Sequence, residues 1–192
     1  MTEQQNHPVI ISAKRTPVGR FLGGLSRVPA PALGSIAIQS ALEAVNLDGT
    51  EVDECVMGCV LQAGLGQNPA RQAGLKAGLP SSLSAVTVNK VCGSGLQSVM
   101  QAVQSIKAGD NNVVVAGGME NMSSIPFYMN DIRTGKKLGH TKIEDGLLID
   151  GLTTNPTLIR KSGRKHEDVY QEFKEIGVTD LSMEVIGSKE NM

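Results

Sequence analysis

The chain has no tryptophan, two tyrosines and three phenylalanines among 192 residues, and its 18 basic and 19 acidic side chains leave a formal net charge of -1. Nucleic-acid binding is disfavoured on both counts, because there is no basic field to neutralise phosphates and there are few rings on which bases could stack. No apolar run approaches the roughly 20 residues that span a bilayer, and the opening MTEQQNHP lacks the charged-then-apolar order of a secretion signal. The sequence therefore reads as a soluble cytoplasmic protein with no membrane partner. Cysteine is scarce too: three, an odd number, make no disulfide framework and suit a reducing compartment. Glycine is what abounds, with 22 residues in a chain that is 40% hydrophobic. That predicts tight turns and close backbone approaches at positions where a Cβ would not fit. The length allows one domain with a sizeable core, or two small ones.

Residues 8–13 (PVIISA) predict a first strand, a short apolar run rich in β-branched side chains. From Leu33, apolar or small residues recur at Ile36, Ala37, Ser40, Ala41 and Ala44, the spacing of one face of a helix of about four turns. Residues 53–62 (DECVMGCVLQ) are apolar at both alternating sets of positions, as in a strand covered on both sides. Asn68 before Pro69 is a cap followed by a residue preorganised for the first helical turn, and Gly78 before Pro80 is a stop, so a short helix is predicted over residues 69–77. Residues 85–118 carry the clearest unit. An apolar alternation at 85–88 leads into Cys92-Gly93-Ser94-Gly95, then into a helix ended by Gly109, then a strand at 112–116. In that helix Leu96, Val99, Met100, Val103 and Ile106 form one stripe, and Gly95, Ser98, Ala102 and Ser105 a second stripe of small residues. A helix with two such stripes is predicted to be buried all round. Strand, helix, strand in this order predicts an α/β fold with a parallel or mixed sheet.

Residues 125–150 read as a long excursion of weak periodicity. Beyond them the composition changes: 13 of the last 40 residues are charged, against 24 of the first 152. In that tail Val169, Phe173 and Ile176 share one helix face closed by Gly177, and residues 181–186 predict a strand, giving a second strand, helix, strand unit.

Cys92 is the first candidate for chemistry. A cysteine between a strand and the start of a helix feels the positive end of the helix dipole, which favours the thiolate. The glycines after it leave room for a carbonyl, and backbone N–H groups there could hold an oxyanion. The other reading is a small buried thiol at a tight turn. Cys55 and Cys59, four apart on a strand with no further ligand nearby, read as core thiols and not as a metal pair. His7, His140 and His166 are scattered and read as solvent-exposed. Gly117-Gly118-Met119-Glu120 sits where open α/β sheets place their sites, at a strand's C-terminal end, or else is a turn under close packing. Gly93-Ser94-Gly95 lacks the Lys-Ser/Thr ending of a phosphate loop, so no nucleotide site is expected.

Residues 8 to about 150 resemble the N-terminal half of the thiolase family, the acetyl-CoA acetyltransferases. Four stretches in order carry the resemblance: ISAKRTPVGRFLGGL, VLQAGLGQNPARQAGLKAGLP, NKVCGSGLQSV and AGGMENMSSIPFYM. It implies that Cys92, the cysteine of the NxxCGSG pattern, is the acyl-accepting nucleophile. It also implies transfer of an acyl group from acyl-CoA to this thiolate and on to acetyl-CoA, or the reverse thiolysis, with the coenzyme A thioester as substrate and no separate cofactor or metal. The fold implied is half of a layered αβαβα sandwich with a loop domain, assembled as a homo-oligomer in the intact family, with the 67–71 segment near the dimer contact. The family's Gly-His-Pro histidine, Cys-x-Gly cysteine and oxyanion-positioning asparagine are not among these residues. Nor is its His-Met-Gly segment, which His140 does not match.

The tail resembles another family. GLLIDGLTTNPTLIRKSG, HEDVYQEFKEI and LSMEVI resemble a strand, helix and strand of a small transaldolase, a (β/α)8 barrel, which implies an active-site role for Asn155 there, although the Schiff-base lysine and first-strand aspartate are missing. Three segments are thus expected: a thiolase N-terminal domain over 1–124, the start of its loop domain over 125–150, and a transaldolase-like βαβ fragment over 151–192. The shared word Asp150-Gly151-Leu152-Thr153 marks the expected join. The activity expected is acyl transfer through Cys92, without complete turnover by this chain alone. The alternatives are a non-catalytic half-thiolase that pairs with a partner, a chimeric gene product, a ketoacyl synthase-like condensing enzyme, and a transaldolase.

Overall fold

The computed structural model describes residues 7–130, 132–135 and 138–149, the strand residues 152–154 and 181–183, and single positions at 163, 165, 168 and 171. The chain divides into two units, Met1–Ile125 and Pro126–Met192.

The first unit is built on three parallel strands, β1 (Glu54–Gly58), β2 (Ser84–Val88) and β3 (Val114–Gly118), in the order β2-β1-β3. Register places Val56 between Val86 and Ala116, and Gly58 between Val88 and Gly118. The central strand is buried at four consecutive positions, from Cys55 to Gly58, as its two-sided apolar pattern predicts. On one face Cys55, Met57 and Cys59 pack with Ala30 and Ile38 of helix α1 (Ala30–Glu43) and Ala70 and Ala73 of helix α2 (Pro69–Lys76); Val52, Leu79, Leu83 and Met119 complete the cluster. Burying each of the larger aliphatic side chains contributes about 1.5–3 kcal/mol.

Helix α2 starts and stops as its sequence predicts: Asn68 Oδ1 accepts the Arg71 N–H at 3.2 Å, and Gly78 takes the left-handed φ of 91° just past the end. Helix α1 begins three residues before the predicted start, and its buried face differs from the predicted one. Ala30, Pro31, Gly34, Ser35 and Ile38 are buried, while Ile36 is 53% exposed. Small side chains win the contact because α1 lies close to α2: a Cβ on Gly34 would meet Ala73 Cβ at 3.3 Å and Met119 Sδ at 2.7 Å.

Helix α3 (Ser94–Ala108) covers the other face of the sheet and ends at Gly109, which has the left-handed φ of 85°. Its small stripe is what the sheet receives: Ser94, Ser98 and Ala102 are buried, and the Ser98 hydroxyl reaches the Gly117 carbonyl at 2.7 Å. The expectation of burial all round is corrected here, since Leu96 and Met100 are 69% and 46% exposed. A helix can offer a close-packed backbone face to only one sheet, and the small residues occupy it. A second correction concerns residues 8–13. They form no strand, and Val9, Ile10 and Ile11 are 76%, 81% and 58% exposed. A strand exists only with a ladder partner, and among the described residues none pairs with this run.

In the second unit, β4 (Phe127–Met129) pairs antiparallel with β5 (Ile143–Asp145), and one helical turn, α4 (Gly146–Ile149), follows. These short strands answer to no periodicity in the 125–150 excursion. Strands β6 (Leu152–Thr154) and β7 (Leu181–Met183) pair in parallel, and Asp168 and Gln171 between them are helical. The predicted face of Val169, Phe173 and Ile176, together with Asn155 and His166, lies outside the described residues. No helix among the described residues is long and apolar enough to cross a membrane.

Candidate active site

Parallel strands point their C-terminal ends the same way, so the segments leaving β1, β2 and β3 meet at one edge of the sheet. The segment after β2 carries Asn89, Lys90, Val91 and Cys92 into helix α3. Cys92 is exposed, in contrast to Cys55 and Cys59, which are 0% and 1% exposed. The reading of Cys92 as a buried turn thiol is thereby overturned, and the two core thiols stand as predicted. Burial pushes both up to about 12, Cys55 with help from Glu54 and Cys59 with help from the adjacent Glu120.

Several bonds shape the turn before Cys92. The Ser94 hydroxyl accepts the Lys90 N–H at 2.8 Å and donates to the Val91 carbonyl at 2.6 Å. The Gly93 and Ser94 N–H groups donate to the carbonyls of Lys90 and Val91 at 3.1 and 3.0 Å. Asn89 Oδ1 accepts the Val91 N–H at 3.0 Å. Val91 itself has a φ of 48°, a left-handed conformation that a β-branched residue rarely adopts. Glycine is required across from this turn. A Cβ on Gly58 would lie 2.4 Å from the Ser94 carbonyl carbon and 2.6 Å from the Gly95 nitrogen. The start of α3 therefore rests on the end of β1, backbone against backbone.

The Gly117-Gly118-Met119-Glu120 turn at the end of β3 resolves into a structural latch. Glu120 Oε2 accepts the Val60 N–H at 2.8 Å and Oε1 the Leu61 N–H at 3.2 Å, which ties the ends of β1 and β3 together. Burial raises its pKa against the opposing pull of those two bonds. Next to it, Asn121 Nδ2 donates toward the carbonyls of Leu25, Ser26 and Val28 at 3.2, 3.1 and 2.8 Å. In the 67–71 segment, Asn68 and Arg71 spend their side chains on their own unit. Asn68 Nδ2 donates to the Ala85 carbonyl at 2.9 Å, and Arg71 donates to the carbonyls of Leu83 and Ser81 at 2.6 and 2.7 Å. His7 and His140 are exposed, as expected. Sequence reasoning missed Asn89 and Asn121. Their roles rest on the left-handed Val91 and on the Glu120 latch, which local sequence patterns do not reveal.

A thiol displayed at a helix start, on a turn fixed by side-chain bonds and seated on glycine, is an arrangement suited to attack on an incoming carbonyl. The sequence model for the thiolase N-terminal domain matches residues 8–179. The chain belongs to the thiolase family. The acetyl-CoA acetyltransferase of Cupriavidus necator is 53% identical over 144 residues, 75% of this chain and 37% of that protein. Acetyl-CoA acetyltransferase 2 of Arabidopsis thaliana is 55% identical over 143 residues, 74% and 36% respectively. A probable acetyl-CoA acyltransferase of Staphylococcus aureus is 51% identical over 145 residues, 76% and 37%. The matched part thus spans little more than a third of these curated relatives. The thiolase match runs past the Asp150–Thr153 word, whereas the pairwise alignments leave about a quarter of the chain uncovered.

Proposed function

We propose that this thiolase chain carries the acyl-accepting cysteine of an acetyl-CoA C-acyltransferase. The observation that carries the reading is Cys92, exposed at the start of α3 while the two other cysteines are buried. The Cys92 thiolate attacks the thioester carbonyl of acyl-CoA; a new carbon–sulfur bond forms, the bond to coenzyme A breaks, and the departing thiolate takes up a proton. In condensation the acyl group then passes to the α-carbanion of acetyl-CoA; in thiolysis the steps run in reverse. The family resemblance implies no cofactor beyond the coenzyme A thioester substrate.

The proposal covers the acylation step, whose acceptor is Cys92. Incubated with acetyl-CoA, the chain is expected to release close to one equivalent of coenzyme A in a single burst, and Cys92→Ala to abolish it. Absence of the burst overturns the reading. The exposed Leu96 and Met100 favour a working form in which a further domain or subunit covers this side of α3, as in an intact family oligomer. The tail reading of a transaldolase-like βαβ fragment rests on the parallel pairing of β6 and β7 and on the rise in charge beyond residue 152.

A further inference from the structure

The hydrogen bonds around Cys92 form a continuous line that begins at Glu120. Glu120 Oε2 accepts the Val60 N–H at 2.8 Å, Asn89 Nδ2 donates to the Val60 carbonyl at 3.2 Å, and Asn89 Oδ1 accepts the Val91 N–H at 3.0 Å. One residue, Val60, is therefore held at both its polar groups, by the carboxylate from the end of β3 and by the amide from the end of β2. The far end of the line is Val91, the left-handed residue directly before Cys92.

A left-handed valine does not hold that conformation unaided, because its Cβ crowds the backbone carbonyl. The Asn89 bond to the Val91 N–H supports the turn locally, in the manner of an Asx-turn. The Asn89 bond to Val60 then ties the turn to the sheet, and Glu120 fixes Val60. We propose that Asn89, braced by Glu120 through Val60, is a positioning residue that holds Val91 left-handed and so sets where Cys92 presents its sulfur relative to the start of α3. This deepens the proposed function and rests on it for its catalytic meaning, while the geometry stands by itself. The line joins the ends of all three strands, so a displacement at β3 reaches the nucleophile through side chains and not only through the sheet.

The test is the rate at which iodoacetamide alkylates Cys92 in the full 192-residue chain, followed by peptide mass spectrometry. The variants are Asn89→Ala, Asn89→Ser, Val91→Gly and the double variant Asn89→Ala/Val91→Gly, with far-UV circular dichroism to confirm folding. Asn89→Ala is expected to slow Cys92 alkylation about tenfold, the population penalty for a left-handed β-branched residue without its support. Serine can accept the N–H two residues on but gives up the amide bond to Val60, so Asn89→Ser should recover part of the rate. Glycine adopts the left-handed conformation freely, so in the Val91→Gly background the same asparagine loss should change the rate less than about twofold. A general loss of stability would change the rate alike in both backgrounds and would not be rescued by serine; either result, or an unchanged rate in Asn89→Ala, overturns the proposal. Iodoacetamide requires no thioester chemistry. A chain that shows the expected coupling but is never acetylated by acetyl-CoA supports the positioning role and refutes the proposed function alone.

Discussion

Replacing Gly58 with alanine puts the contact between β1 and α3 to a direct test. The added Cβ would fall 2.4 Å from the Ser94 carbonyl carbon, 2.6 Å from the Gly95 nitrogen and 2.7 Å from the Ser94 oxygen. All three neighbours are backbone, so no side-chain rotation relieves the clash, and the first turn of α3 must retreat by about 1 Å to reach ordinary contact. Such overpacking costs about 3 kcal/mol, the upper part of its usual range, because a helix seated along its length cannot shift at one end alone. With a urea slope of about 2 kcal/mol/M, the unfolding midpoint drops by about 1.5 M. Two controls grade the effect. Gly118→Ala, whose Cβ would meet Gly95 Cα at 3.1 Å, should cost about 1 kcal/mol. Gly24→Ala, with nothing within 4 Å, should cost nothing measurable. Urea titrations followed by far-UV circular dichroism give the three midpoints. A Gly58→Ala midpoint indistinguishable from that of Gly24→Ala would refute the close backbone seating of α3.

Glu120 gives a pH prediction. Burial raises its pKa above the ordinary 4.5, so the folded chain keeps this proton at pH values where the unfolded chain has lost it. Its contribution to stability therefore falls as pH rises from 4.5 through the raised value. Melting temperatures across that interval should decline less in Glu120→Gln than in the parent, and identical slopes would contradict the assignment. The thiols give another: a disulfide reagent should titrate one cysteine rapidly in the native chain, Cys92, and all three after denaturation, since Cys55 and Cys59 are buried. Rapid reaction of two or three native thiols would contradict the packing around β1.

The parts of this fold written in local chemistry were legible in the sequence. Asn68, Pro69 and Gly78 mark both ends of α2, Gly109 marks the end of α3, and the two-sided apolar pattern of 53–62 marks the central strand. What failed depended on partners. Residues 8–13 have the composition of a strand, but composition supplies no ladder, and among the described residues none is offered. Hydrophobicity alone pointed to Ile36 and Leu96 as buried, whereas close helix packing favours Gly34, Ser35, Ser98 and Ala102, which are small. β3 also lies two residues beyond its predicted start, at Val114: the N–H groups of Asn112 and Val113 go to Asp53 Oδ2 at 2.7 and 2.9 Å instead of to a strand carbonyl. At the candidate site, the place of Cys92 between a strand and a helix start was legible. The line from Glu120 to Val91 was not, because it joins positions far apart in the chain through a residue, Val60, with no chemistry of its own.

The central claim, that Cys92 accepts the acyl group, is tested most directly by mapping the adduct. The chain is mixed with acetyl-CoA, quenched in acid and digested, and the peptide containing Cys92 is weighed beside those containing Cys55 and Cys59. An acetyl group on Cys92 alone, removed by hydroxylamine and absent from Cys92→Ser, is the predicted result. Acetylation spread over the lysines with none on Cys92 would contradict it.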